Sequence, residues 1–277
     1  MSRHLAVSFL LALTMAAPAP AAELYNTVKQ KLMAGKKVVG GTVYTNDPKV
    51  YCAMANSGFD FLWIEMQHSA LSYNEVESMI WACRDAPAIP FIRVPGATSG
   101  DLQKATDIGA LGVIIPMIDD IQQAKDAVTY TKYPPMGKRS RGGGQYGFWS
   151  ENYRETANDN IMIVVMIESP AGVDIAKEVA AVDGIDVVFA ASGDMGSFTG
   201  YSREDPRYIA LIDRIRDATL GAGKWLAGPH SWYDWEGYTF FQGPSESSLI
   251  KAGAKVTLTG QTGGERKNEA TGDEPRR

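Results

Sequence analysis

Residues 161–194 read IMIVVMIESPAGVDIAKEVAAVDGIDVVFAASGD, and this stretch decides the fold. An apolar, β-branched run ends in Glu168, Ser169-Pro170 opens a helix-like segment over 171–180, Asp183-Gly184 closes it, and a second apolar run over 185–191 leads to Ser192-Gly193-Asp194. Strand, helix, glycine stop and strand make a βαβ unit. Both runs lack the polar alternation of a sheet with one wet face, so both strands are expected to be covered on two sides.

The same alternation extends in both directions. Strand-like runs are expected at 37–43, 59–65, 89–94, 111–117, 161–168, 185–191, 225–229 and 255–259, with helices at 47–56, 73–85, 99–108, 121–131, 171–180 and 206–220. No Pro/Ser-rich linker breaks the series, which favours one domain: a (β/α)8 TIM barrel, with an open doubly wound sheet as the alternative. After the run at 255–259 only polar sequence remains, so the barrel is expected to lack a full final helix.

The chain ends bound this domain. Ser2-Arg3-His4, the apolar run 5–16 and the small residues and prolines after it follow the secretory signal pattern, too short for a spanning helix of about 20 residues. Residues 1–22 are expected to be a signal peptide cut before Ala22 or Glu23; a retained anchor or a buried N-terminal helix is the alternative. The protein is therefore expected to be exported, periplasmic or secreted, without a stable membrane span after processing. Residues 261–277 hold no apolar side chain larger than alanine and read as a disordered polar tail, leaving 23–260 as the catalytic domain. The composition, 45% hydrophobic and 21% charged with two cysteines, sets aside a disordered chain and a disulfide scaffold. A net charge of -5 with both signs interspersed argues against a nucleic-acid partner.

In a parallel barrel the chemistry sits at the carboxyl ends of the strands. Four useful side chains fall there: His68 after the second strand, Arg93 at the end of the third, Glu168 after the fifth and Asp194 after the sixth. Glu168 and Asp194 are one βαβ step apart. Adjacent carboxylates repel unless a cation or a shared proton intervenes. Two carboxylates with waters suit Mg2+ or Mn2+, with Co2+ a further candidate; the plainer reading is that each caps the helix after it. Histidine is the residue type suited to proton transfer near neutral pH, so His68 fits general acid–base work, or is simply a surface or satisfied core histidine. Arg93 lies in an apolar run and must meet an anion, either an internal carboxylate or that of a substrate. The glycine run at 142–147 matches GxGxxG but follows no strand, and a dinucleotide site is rejected. Cys52 and Cys83 fall on the first two helices, and whether they form a bridge stays open.

Taken together, SGFDFLWIEMQHS (57–69), DIGALGVIIPMI (107–118), YPPMGKRS (133–140) and the stretch 166–201 resemble the metal-dependent (class II) 4-hydroxy-2-oxo-acid aldolases. These are relatives of the citrate lyase β subunit and of macrophomate synthase in the pyruvate/phosphoenolpyruvate barrel superfamily. The resemblance implies a barrel whose Glu168 and Asp194 hold a divalent metal that chelates a pyruvate unit. His68 would assist proton transfer at the 4-hydroxyl, and Arg93 would stabilise the enolate oxygen. Substrate contacts are expected from Gln67, Ser192, Gly193 and Met166. Further contacts are expected from Pro229, His230 and Trp232, whose aromatic surroundings either cover the mouth or pack in place of a helix. The chain departs from the family in reading Glu65-Met66-Gln67-His68 for Asp-Gly-Glu-His, and Met166 for a glutamine. Arg139 and Glu65 are candidates for reaching chemistry in a neighbouring subunit of a homo-oligomer. The expected reaction is C–C cleavage or formation in a 2-oxo acid, with an aldehyde as partner. The rivals are another metal-enolate enzyme on the same scaffold and an exported binding protein without turnover.

Overall fold

A computed structural model describes residues 23–260; the expected signal peptide and polar tail lie outside the described residues. Eight strands, β1 Val38–Val43, β2 Phe61–Glu65, β3 Ile89–Arg93, β4 Gly112–Ile115, β5 Met162–Ile167, β6 Val187–Ala190, β7 Trp225–Pro229 and β8 Tyr238–Ser245, close into one barrel. Every neighbouring pair is parallel, including β8 with β1. The helices are α1 Thr27–Met33, α2 Pro48–Ala55, α3 Tyr73–Ala82, α4 Ser99–Asp107, α5 Ile121–Thr131, α6 Tyr153–Asn160, α7 Pro170–Asp174, α8 Ala176–Ala180, α9 Ser192–Thr199, α10 Pro206–Gly221 and α11 Glu246–Thr259. No helix among the described residues is long and apolar enough to cross a membrane.

Alternation along the strands divides the core. Leu62, Ile64, Ile92, Val165 and Val188 face the helices, whereas Phe61, Trp63, Phe91, Met166, Phe189 and Phe240 fill the barrel. The ring of Phe61 lies 4.8 Å from that of Phe91 and 4.4 Å from that of Phe240. Small residues opposite make the room: a Cβ on Gly112 would lie 2.0 Å from the Phe91 ring, and one on Gly40 2.2 Å from Phe61. Trp63 and Phe189, 5.4 Å apart, form the next layer toward the carboxyl ends, so the site rests on a packed platform, not a pore.

The amino-terminal end of the barrel is closed by the segment that leads into α1. Asn26 caps α1 and sends its amide nitrogen to the carbonyls of Leu111 (3.0 Å) and Asn160 (2.6 Å). Asn160 accepts from the amides of Tyr25 and Asn26. Arg139, expected as a residue for a neighbouring subunit, is buried at this end instead. It donates to Asp107 (2.8 Å) and to the Tyr153 hydroxyl (3.0 Å) and lies over the rings of Tyr133 and Tyr146. Its partners lie within its own chain, because α4 and the 132–139 turn meet there.

Two expectations about the last strands are corrected. Residues 255–259 belong to α11, not to the eighth strand; their β-branched content read as a strand, but Ser245 accepts from the Ser248 amide and starts a helix that runs through them. The eighth strand is the aromatic stretch from Tyr238, with Phe240 turned into the barrel and Tyr238 and Phe241 outward. A final helix is therefore present, although beyond its first turn it stands in solvent, with Leu258 85% exposed. The crossover without an α-helix is the one between β7 and β8. There a short 3-10 turn, His230–Trp232, and the residues up to Gly237 descend the outside of the barrel. Trp232 is buried in that descent, stacked on Trp235 at 4.5 Å and edge-on to Tyr238 at 5.5 Å.

Candidate active site

The carboxyl ends of β2 and β3 carry a buried ion pair. Register places Glu65 beside Arg93, and the Arg93 guanidinium donates through Nε and Nη2 to Glu65 Oε2. Trp63 Nε1 donates to the same oxygen at 3.2 Å, and Oε1 accepts from the amides of Gln67 (2.8 Å) and His68 (3.0 Å). Glu65 is fully buried and Arg93 is 7% exposed, so neither charge could remain there without the other. Glu65 thus acts within its own chain: it fixes the guanidinium from one side and the Gln67-His68 turn from the other. The expected trans-subunit role for Glu65 is replaced by this one.

That turn presents His68 to solvent at the mouth. It is held further by Ser69, whose hydroxyl donates to the Glu65 carbonyl and accepts from the Leu71 amide, and by the capping box in which Ser72 and Glu75 start α3. Gln67 is half-buried, and its Oε1 is buried without a hydrogen-bond partner. Met166 lies in the barrel with its sulfur 3.9 Å from Arg93 Nη1.

Glu168 follows β5 directly. It is 1% exposed, and neither carboxylate oxygen has a hydrogen-bond partner. Burial, then the adjacent Asp194 carboxyl, pushes its pKa up to about 8, against the opposing pull of Arg93. Neither acid caps a helix: Ser169 caps α7, accepting from the Gly172 amide, and Asp194 stands inside the first turn of α9, whose N-cap is Ala191. The plainer reading of the two acids therefore fails on geometry. Ser192 and Gly193 open α9; Gly193 is exposed, so backbone amides at this helix start are accessible to an anion. Two buried carboxylate oxygens without donors, next to a second acid, fit a divalent cation, which supplies the missing positive partner.

Other expected contacts fall elsewhere. Pro229 ends β7 half-buried, but His230 is exposed and packs against Tyr233 (5.5 Å) and the outward-facing Phe241 (6.5 Å), while Trp232 belongs to the crossover. Histidine and tryptophan after Pro229 read as mouth residues because they directly follow the carboxyl end of β7; Trp232 instead packs on Trp235 and Tyr238, the alternative reading of that aromatic segment.

Three residues join the site that the sequence reading did not single out. Tyr44, one residue beyond β1, reaches the level of Glu65, because Val43 pairs with Ile64. Burial, then Glu65, raises its pKa while Arg93 lowers it. Glu246, the first residue of α11, accepts from the amides of Tyr44 and Thr45 (2.9 Å each) through Oε1. Met117, just past β4, holds φ 55°, and its backbone, which makes no full hydrogen bond to either carboxylate oxygen, still opposes the raised pKa of Glu168. The strand-end rule could have found Tyr44; Glu246 was out of reach while 255–259 stood as β8.

The fold and this mouth define a (β/α)8-barrel enzyme. The family model described as HpcH/HpaI aldolase/citrate lyase matches residues 43–224. The chain is 32% identical to a 2-dehydro-3,6-dideoxy-6-sulfogluconate aldolase of Pseudomonas putida, over 61% of this chain and 67% of that one. It is 30% identical to a hydroxypyruvate/pyruvate aldolase of Chromohalobacter salexigens, over 74% and 86% respectively. An HpcH/HpaI aldolase/citrate lyase family protein from Burkholderia cenocepacia superimposes with a TM-score of 0.78 at 25% identity, covering 85% of this chain and 98% of that one. The chain belongs to the HpcH/HpaI aldolase/citrate lyase family and is a carbon–carbon lyase of the aldolase type.

Proposed function

We propose that this protein cleaves or forms the C–C bond of a 4-hydroxy-2-oxo acid, with pyruvate or a close analogue and an aldehyde as the two halves, outside the cytoplasm. The observation that carries the reading is the pair of donor-less Glu168 oxygens beside Asp194, within reach of a guanidinium. Glu168 and Asp194 would hold a divalent cation, Mg2+ or Mn2+. When bound, such a cation supplies Lewis-acid stabilisation of the negative charge that develops on a 2-oxo acid. Arg93, fixed by Glu65, places a permanent cation where the enolate oxygen develops, so that little reorganisation is needed as charge appears. His68, held at the mouth by the hydrogen bond its backbone N–H donates to Glu65, is positioned to take the 4-hydroxyl proton during cleavage and return it during synthesis. The accessible amides of Ser192 and Gly193 suit the substrate carboxylate.

The names of the relatives support aldol chemistry on 2-oxo acids, and their different substrates leave the aldehyde half to be identified in this chain. Export rests on the signal-like residues 1–22 and agrees with the disulfide between Cys52 and Cys83, which joins α2 to the end of α3. Assembly as a homo-oligomer is part of the same proposal, with the exposed side of α11 as its candidate contact.

The test is aldol addition of pyruvate to a panel of aldehydes with Mn2+, with products identified by mass. New 4-hydroxy-2-oxo acids that vanish on chelation are the expected result. Decarboxylation or hydration products instead would move the protein to another reaction on the same scaffold.

A further inference from the structure

A cavity of about 250 Å3 opens between the loop after β1 and the loop after β2, the loop that also carries His68. Its walls are Tyr44, Thr45, Asn46, Ala70, Leu71 and Glu75. It is smaller than the roughly 300–1,000 Å3 of a pocket for drug-sized ligands, so a chain of a few carbons is its natural occupant. Its lining is rich in hydrogen-bonding groups: a phenol, a hydroxyl, a carboxamide and a carboxylate.

The walls are held in place. Glu246 clamps the amides of Tyr44 and Thr45 from the start of α11. The Asn46 amide nitrogen donates to Glu75 Oε1 at 2.8 Å, while Glu75 Oε2 accepts from the amide and hydroxyl of Ser72. The Tyr44 side chain is different. It is 41% exposed, its hydroxyl has no hydrogen bond among the described residues, and it stands at the level of Glu65 and Arg93. A phenol left open at the junction of the mouth and a polar side cavity is placed to meet a ligand that spans both.

We propose that this cavity is the subsite for the far end of the aldehyde half, that it takes a short hydroxylated carbon chain, and that the Tyr44 hydroxyl hydrogen-bonds that chain as it leaves the mouth. The inference rests on the aldol reading above and adds the substrate class. A polyol-like chain replaces its water contacts there with Tyr44, Thr45 and the free lone pairs of Asn46 and Glu75. A plain alkyl chain would leave those groups unpaired at a cost.

The experiment compares aldol addition of pyruvate to glyceraldehyde and to acetaldehyde, with Mn2+, in wild type, Tyr44→Phe and Ala70→Leu. The readout is the ratio of kcat/KM for the two aldehydes. In Tyr44→Phe the glyceraldehyde preference is expected to fall about tenfold, the effect of one good hydrogen bond. In Ala70→Leu, which fills the cavity while leaving its polar side chains unchanged, it is expected to fall at least as far. A fall of less than about threefold in Tyr44→Phe, which keeps the shape of a half-exposed side chain and is expected to fold, overturns the proposal. If wild-type protein neither forms aldol products nor exchanges the pyruvate methyl protons, the aldol reading itself fails and this one with it.

Discussion

Both ends of the barrel bury polar groups and treat them in opposite ways. At the amino-terminal end, Asn26 and Asn160 satisfy each other and the surrounding backbone, Lys132 donates to the carbonyls of Asn158 and Ile161, and Arg139 is divided between Asp107, Tyr153 and aromatic faces. Single atoms there go unpaired, such as Arg139 Nε and the Tyr133 hydroxyl, but each belongs to a side chain with other favourable contacts. At the carboxyl end Glu65 and Arg93 satisfy each other, yet neither oxygen of the Glu168 carboxylate makes a hydrogen bond. Satisfied burial builds the floor. A whole carboxylate left unsatisfied marks the place where something else binds.

The largest test of this contrast is Glu168→Gln. It is expected to lower kcat/KM for aldol cleavage by about 10²- to 10³-fold or more and to abolish Mn2+-induced stabilisation, as seen by activity assay and thermal melts. Retained turnover with retained metal response would make the two ends alike. Arg139→Met at the floor should do the reverse, costing about 3 kcal/mol in urea unfolding while the kcat of the folded protein stays within about twofold. A collapse of kcat without loss of stability would instead restore a role for Arg139 in a neighbouring active site.

The pH dependence separates the ends by sign. Glu168, raised to about 8, keeps a proton in the metal-free fold that the unfolded chain has already released. Between its ordinary value of 4.5 and about 8 the native state therefore binds more protons, and stability falls with rising pH by up to about 1.4 kcal/mol per unit. Lys132 is lowered by burial from 10.5 to about 8, so the unfolded chain binds the extra proton in that interval and stability rises from about pH 8 to 10.5. Chelated wild type should show the falling limb in urea midpoints and Glu168→Gln should lose it, whereas Lys132→Met should lose only the rising limb. Coincident profiles for wild type and Glu168→Gln would remove the buried acid from the account. The smallest expected effect is Ser72→Ala, which deletes the cap of α3 behind the His68 turn and should cost about 1 kcal/mol in the same unfolding assay.

How far these features could be read in advance follows from their physics. The strands from β1 to β7 announce themselves through continuous apolar runs, and the strand-end rule brings Arg93, Glu168 and Asp194 to one mouth. It also led to Glu65, whose partners could not be read: a carboxylate that accepts from Arg93, Trp63 and two amides looks in sequence like one free to reach outward. The final βα unit was misread because Lys255-Val256-Thr257-Leu258-Thr259 at the end of α11 is a strand-like run by local preference, whereas Tyr238 to Phe241, equally strand-like, was taken as part of the aromatic segment after His230. Closure with β1 overrides that preference: Gly243 approaches so closely that a Cβ there would lie 2.5 Å from the Gly40 carbonyl oxygen. Long-range pairing of this kind has no local signal. The partners of Arg139 within its own chain were unreadable for a related reason, since its three tyrosines and Asp107 come from segments scattered between residues 107 and 153.

The central claim is that the unsatisfied acid at the mouth serves enolate formation. It is tested most directly by the exchange of pyruvate methyl protons with deuterium, followed by NMR, in the whole protein with Mn2+, with a chelator, and in Glu168→Gln with Mn2+. Exchange in the first sample alone is the predicted result. Equal exchange in all three would contradict the account.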